Sequence, residues 1–160
     1  MKFNTIILVD DEAAHATLVE RNIRRVGYNK EIIKLERGQE VLDLIFGVGD
    51  YEDHPAPDFP LILLDLNMPG KSGMEVLKEI KSNLDTQHIP IIVLTTSDDP
   101  TEIEECYRLG CNAYIIKPVM PDEFKEKMGD LGLFLQFMGA PSSPAVLQVE
   151  AQKDNKDADT

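Results

Sequence analysis

Five polar side chains fall where an apolar run stops. Asp10 and Asp11 follow Thr5-Ile6-Ile7-Leu8-Val9, Asp65 follows Leu61-Ile62-Leu63-Leu64, Thr95 closes Ile91-Ile92-Val93-Leu94, and Lys117 follows Ala113-Tyr114-Ile115-Ile116. If those run ends meet, three carboxylates, a hydroxyl and an ammonium share one pocket. Two carboxylates about 4 Å apart repel by about 1 kcal/mol in bulk water and about 4 kcal/mol at an effective dielectric of 20. Three of them therefore need protons or a cation. An all-oxygen donor set suits a hard ion, and Mg²⁺ in particular takes few protein ligands and keeps several waters. Its open positions could accept phosphoryl oxygens. Lys117 would add a point charge, Thr95 a hydroxyl donor, and the loop after Asp65 a backbone carbonyl. A carboxylate can itself be the nucleophile when cation and ammonium neutralise the transferring group. The catalytic set on this reading is Asp65, Lys117 and Thr95.

Each residue alone has an ordinary explanation. An Asp-Asp pair after a strand is often a helix cap, an Asp before Pro-Gly a turn residue, a Lys before Pro a solvated side chain. The case rests on their joint placement at four strand ends.

The elements that must position them alternate along the chain. The five strands read as the four runs above plus Ile32–Glu36, whose Lys34 and Glu36 alternate with Ile33 and Leu35 as in a half-exposed edge strand. Helical spacing links Ala16, Val19, Ile23 and Val26, with Gly27 as a stop. It also links Val41, Leu44, Ile45 and Val48, then Val76, Leu77, Ile80 and Leu84, then Ile103, Cys106 and Tyr107 before Gly110. Ser97 or Asp98 could cap the fourth helix. Phe124, Met128, Leu131 and Leu135 mark a fifth, weakened by Gly129 and Gly132. The segment 49–60 holds Pro55, Pro57 and Pro60 and reads as a long loop.

Near-continuous apolar strands joined by helices imply an α/β fold with a parallel sheet covered on both faces. Spacing does not give the strand order. The five-stranded doubly wound, flavodoxin-like solution has order 2-1-3-4-5 and places ligands at the strand C-terminal edge. Residues 1–139 form one domain on this reading, and 140–160 a disordered polar tail.

Composition narrows the class. The 160 residues carry 16 Lys+Arg against 29 Asp+Glu, a net charge of -13. Such a surface repels nucleic acid and anionic membrane. Cys106 and Cys111 do not make a disulfide framework and read as small, partly buried apolar residues in a reducing compartment. No signal sequence or apolar run of bilayer-spanning length stands out, which gives a cytoplasmic expectation.

The motifs Ile7-Leu8-Val9-Asp10-Asp11-Glu12, Leu63-Leu64-Asp65-Leu66-Asn67-Met68-Pro69-Gly70, Gly73-Met74-Glu75, Leu94-Thr95 and Ala113-Tyr114-Ile115-Ile116-Lys117-Pro118 occur in that order. Together they resemble the response-regulator receiver family of two-component signalling over residues 3 to 138. The resemblance implies that Asp65 is the phosphoacceptor, that Asp10, Asp11, Asp65 and Asn67 hold Mg²⁺, and that Thr95, Lys117 and Tyr114 sense the phosphoryl group. It implies a histidine kinase or phosphotransfer protein upstream. Downstream it implies a partner, or a second copy, reading the face of helix 4, strand 5 and helix 5. The Lys117-Pro118 bond is often cis in this family. Asn67 and Ser97 match positions that tune phosphate lifetime. Thr96 is bulkier than the residue usual there, and the long 49–60 loop is similar to the phytochrome-associated single-domain subgroup.

Two other functions compete. An aspartyl-phosphate phosphatase or phosphotransferase of the haloacid dehalogenase type needs an acid two residues beyond the nucleophile, where this chain has Asn67. A non-phosphorylated pseudo-receiver scaffold would not need the full acceptor set. His15, His54 and His88 receive no role, with His15 read as an exposed helix residue.

Overall fold

The computed structural model describes residues 3–25 and 27–117. Five strands, β1 (Thr5–Val9), β2 (Glu31–Leu35), β3 (Pro60–Leu64), β4 (Ile91–Thr95) and β5 (Ala113–Ile116), form one parallel sheet in the order β2-β1-β3-β4-β5. Four helices alternate with them: α1 (Ala13–Arg25), α2 (Gly38–Phe46), α3 (Gly73–Ser82) and α4 (Pro100–Leu109). This is the doubly wound, flavodoxin-like sheet expected from the sequence. The expected fifth helix, the polar tail and the Lys117-Pro118 bond lie outside the described residues.

Alternation along each strand splits the core in two. Ile6 and Leu8 of β1, Leu61 and Leu63 of β3 and Ile92 and Leu94 of β4 pack with Ala16, Val19 and Ile23 of α1. Ile7, Val9, Ile62, Leu64, Ile91 and Val93 point the other way, toward Val41, Val76, Leu77, Ile80 and Cys106 of α2, α3 and α4. Burial of both faces explains why these strands read as unbroken apolar runs. β2 lies at the edge and runs over Glu31–Leu35, one residue earlier than expected; Lys34 is exposed as the alternation implied, and Glu36, also exposed, falls just beyond the strand.

Helix boundaries depart from the periodicity at three points, each through local hydrogen bonding. α2 stops at Phe46 because Gly47 adopts φ +66° and the amides of Gly47 and Val48 both turn back to the Asp43 carbonyl. Val48 is thereby left exposed. α3 stops at Ser82, where the Asn83 side chain accepts from Asp85 N and the Asn83 carbonyl from Thr86 and Gln87 N. Leu84 is consequently 82% exposed and does not continue the apolar stripe. α4 is capped by Asp99, not by Ser97 or Asp98, because Pro100 takes the first helical position and Asp99 Oδ1 accepts from Thr101 N. The 49–60 connection contains one 3-10 turn over Gly49–Tyr51.

Candidate functional site

Parallel strands end together, so Asp10, Asp65, Thr95 and Lys117 meet at one edge of the sheet. The residues after β1 and β3 are held by the ladder itself: Asp10 N donates to Leu35 O and Asp65 N to Val9 O, both at 3.0 Å. Lys117 N donates to Thr95 O at 2.6 Å, which sets the ends of β4 and β5 level. Gly73 lets α3 start directly beneath Asp65. A Cβ there would lie 2.2 Å from the Asp65 carbonyl oxygen, so no larger residue fits without moving backbone. Ser72 and Glu75 close that helix start with a capping box.

The acids converge. One carboxylate oxygen from each of Asp10, Asp11 and Asp65 lies within 4.8 Å of the others. Asp10 and Asp65 are buried, whereas Asp11 is exposed and leaves the pocket open to solvent on its side. Lys117, only 3% exposed, places Nζ 2.5 Å from Asp10 Oδ2 and 3.4 Å from Asp65 Oδ2. Three carboxylates and one ammonium leave a formal charge of about -2, which a divalent cation would balance. The donor set is oxygen throughout and one side is open, so the residues fit a hard ion that keeps some of its waters.

The remaining predicted residues are positioned around this centre. Asn67 N donates to Asp65 Oδ1 at 3.1 Å, and Glu12 N to Asp10 Oδ1 at 2.9 Å, so each buried acid keeps one oxygen engaged by a backbone amide. Asn67 Nδ2 reaches Thr95 Oγ1 at 3.4 Å, which ties the β3 loop to the end of β4. Thr96 is exposed at the rim. Tyr114 is not in the pocket. It is fully buried beneath α4, donates through its hydroxyl to Ser97 O at 2.8 Å, and burial pushes its phenol up to about 12.

Sequence reasoning missed one neighbour. His15, given no role and read as exposed, is half-buried, with Nδ1 3.5 Å from Lys117 Nζ and 3.0 Å from Glu12 Oε2. No local pattern marks it: Asp11 precedes α1, so helical spacing does not join it to His15, and Lys117 is 102 residues away. Cys106 and Cys111 are free thiols, as expected, and are buried more completely than the partial burial expected. Burial raises them to about 11 and about 12, so neither is poised for chemistry at neutral pH.

The sequence from residue 6 to residue 129 matches the family model for the response regulator receiver domain. The chain belongs to that family. Among relatives of this receiver, response regulator Rcp1 of Synechocystis sp. is 37% identical over 139 residues, which is 86% of this chain and 93% of Rcp1. The manganese-bound form of Rcp1 superposes with a TM-score of 0.77, at 36% identity, covering 82% of this chain and 94% of that one. A receiver domain from Rhodospirillum rubrum gives 0.77 at 41% identity, covering 87% and 98%. The phosphorylated cyanobacterial phytochrome response regulator RcpA gives 0.75 at 33% identity, covering 82% and 93%. This receiver is thus a two-component signalling protein, and its acid cluster is of a kind that suits a divalent ion.

Proposed function

We propose that this receiver accepts a phosphoryl group from a phosphohistidine onto Asp65, and that the modification switches a partner-binding face. The observation that carries the reading is the meeting of Asp10, Asp11 and Asp65 with Lys117 spanning two of them. Asp65 Oδ2, the oxygen not held by Asn67 N, is the nucleophile. It forms the new bond to phosphorus as the bond to the imidazole nitrogen breaks, and the histidine is returned unmodified. Lys117 moves its charge from Asp10 toward a phosphoryl oxygen, and the Thr95 hydroxyl donates to another. Asp10, Asp11, Asp65 and the Asn67 backbone carbonyl would hold Mg²⁺, which when bound supplies positive charge opposite the ammonium.

Movement of the Thr95 hydroxyl away from Asn67 Nδ2 would also break its contact with Ser97 N, and the Ser97 carbonyl is what holds the Tyr114 hydroxyl. That chain of contacts links the acid pocket to α4 and β5, the surface a partner would read together with the segment that follows. The protein acts as a switch and turns over nothing besides its own acyl phosphate. Its source of phosphate is a sensor kinase or phosphotransfer protein. The likeness to RcpA and the long 49–60 loop favour a kinase of the phytochrome type.

Acetyl phosphate with Mg²⁺ provides the test. Intact-mass analysis should show one added phosphoryl group, absent from Asp65→Asn. Undiminished labelling of Asp65→Asn would overturn the assignment.

A further inference from the structure

The edge of the sheet opposite the acids carries a second built feature. A groove of about 650 Å³ opens between Phe3, Ile45, Phe59, Pro60, Ile89 and Pro90. Phe3 precedes β1, Pro60 begins β3, Pro90 precedes β4 and Ile45 lies in the last turn of α2, so the groove sits at the strand N-termini. Its size is that of an ordinary ligand or peptide-anchor site.

The backbone keeps this groove apolar at its mouth at some cost. Phe59 has φ +45° and is the one non-glycine residue at positive φ among those described. A bulky side chain in that region is an outlier that the surrounding structure must enforce. The enforced conformation holds the ring 66% exposed, while the Phe59 carbonyl accepts from Asn4 N. Phe46 and Leu84, next in sequence to the lining residues Ile45 and Asp85, are also exposed large apolar residues. Pro57, Pro60 and Pro90 fix the local chain, so little ordering would accompany binding.

The charge of the lining selects the occupant. Asp58 and Asp85 line the groove with His88, and among the described residues no Lys or Arg does; Asp58 Oδ2 accepts from Asn4 Nδ2 at 3.2 Å, and neither carboxylate forms an ion pair among those residues. We propose that this groove docks a short segment of another protein that presents apolar anchors next to Lys or Arg. Phe59 stacks on the anchor, and Asp58 and Asp85 meet the cations. A chain of net charge -13 steers such a basic segment and repels acidic ones. The surface is separate from the acid pocket and from the α4–β5 face, so it would tether a partner without competing with either.

Selection of short random peptides on phage against the full chain tests this. Enriched sequences should pair Phe or Leu with Arg or Lys, and their synthetic forms should bind in fluorescence anisotropy with an affinity that falls as salt rises. Phe59→Gly should weaken them roughly tenfold or more, as expected for an anchor position. The same variant should melt no lower than the parent, because glycine adopts positive φ freely. Asp58→Asn combined with Asp85→Asn should weaken binding and flatten its salt dependence. Several results would overturn the proposal: no enrichment, enrichment of acidic peptides, or binding indifferent to both sets of substitutions. So would sedimentation showing a dimer that Phe59→Gly dissociates, since a second copy would then be the occupant.

Discussion

Lys117 is the residue on which the resting pocket balances. It is the only cation placed against the buried carboxylates of Asp10 and Asp65 among the described residues. Lys117→Met leaves those acids facing each other uncompensated, and breaking such a buried pair costs about 3 kcal/mol. We therefore expect a lower melting temperature in chelator, with divalent cation restoring more stability to Lys117→Met than it adds to the parent. The same variant should take phosphate from acetyl phosphate about a hundredfold more slowly, the usual loss on removing one transition-state charge partner. Asp11 gives the complementary case. It is exposed and has no ion pair among the described residues, so Asp11→Asn should cost little in chelator. Mg²⁺ should raise the melting temperature of the parent and leave that of Asp11→Asn unmoved, a difference read directly by thermal denaturation with and without the ion.

At the scale of elements, the start of α3 is the tightest constraint on the site. Gly73→Ala would drive a methyl group into the Asp65 carbonyl and the Leu66 Cα, at 2.2 and 2.7 Å. Overpacking against backbone costs about 1–3 kcal/mol, and the movement that relieves it displaces Asp65 itself. Denaturant unfolding should show the loss of stability, and acetyl phosphate labelling should fall even at temperatures where the variant is folded. What the sequence disclosed about these elements follows from what each signal measures. Unbroken apolar runs such as Leu61–Leu64 report burial on both faces, so the sheet and its helices were legible. The polar residue ending each run marked the strand C-terminus, so the pocket was too. Helix ends were less legible. Apolar spacing carried α2 on to Val48 and α3 on to Leu84, but hydrogen bonds made by Gly47 and Asn83 stop them earlier. His15 was missed because its neighbour Lys117 is distant in sequence, and no local pattern records such a contact.

For the molecule as a whole, burial of weak acids shapes the response to alkali. Cys106, Cys111 and Tyr114 are raised from ordinary values of 9.0, 9.0 and 10.0 to about 11, about 12 and about 12, in each case chiefly by burial. The folded chain keeps protons that the unfolded chain has released. Their contribution to stability is therefore complete below the ordinary values and is lost as pH climbs through 11 to 12. Lys81 opposes them. Burial lowers it to about 8 from 10.5, so its own contribution grows with pH across that interval. Burial raises the Tyr28 phenol as well, so four groups against one give a net decline, and the urea midpoint should fall between pH 9 and 11. Thiol reagents should label Cys106 and Cys111 only after unfolding.

The bond from Lys117 to Asp10 spans 107 residues, from the strand synthesised first to the strand synthesised last among those described. A nascent chain emerging from the ribosome consequently carries its acids long before it carries their counter-charge. β1 can recruit β2 and then β3 while Asp10 and Asp65 still lack the ammonium. Among the described elements the pocket is complete only once β5 joins the sheet, so a fragment that ends before β5 carries the acids without their counter-charge.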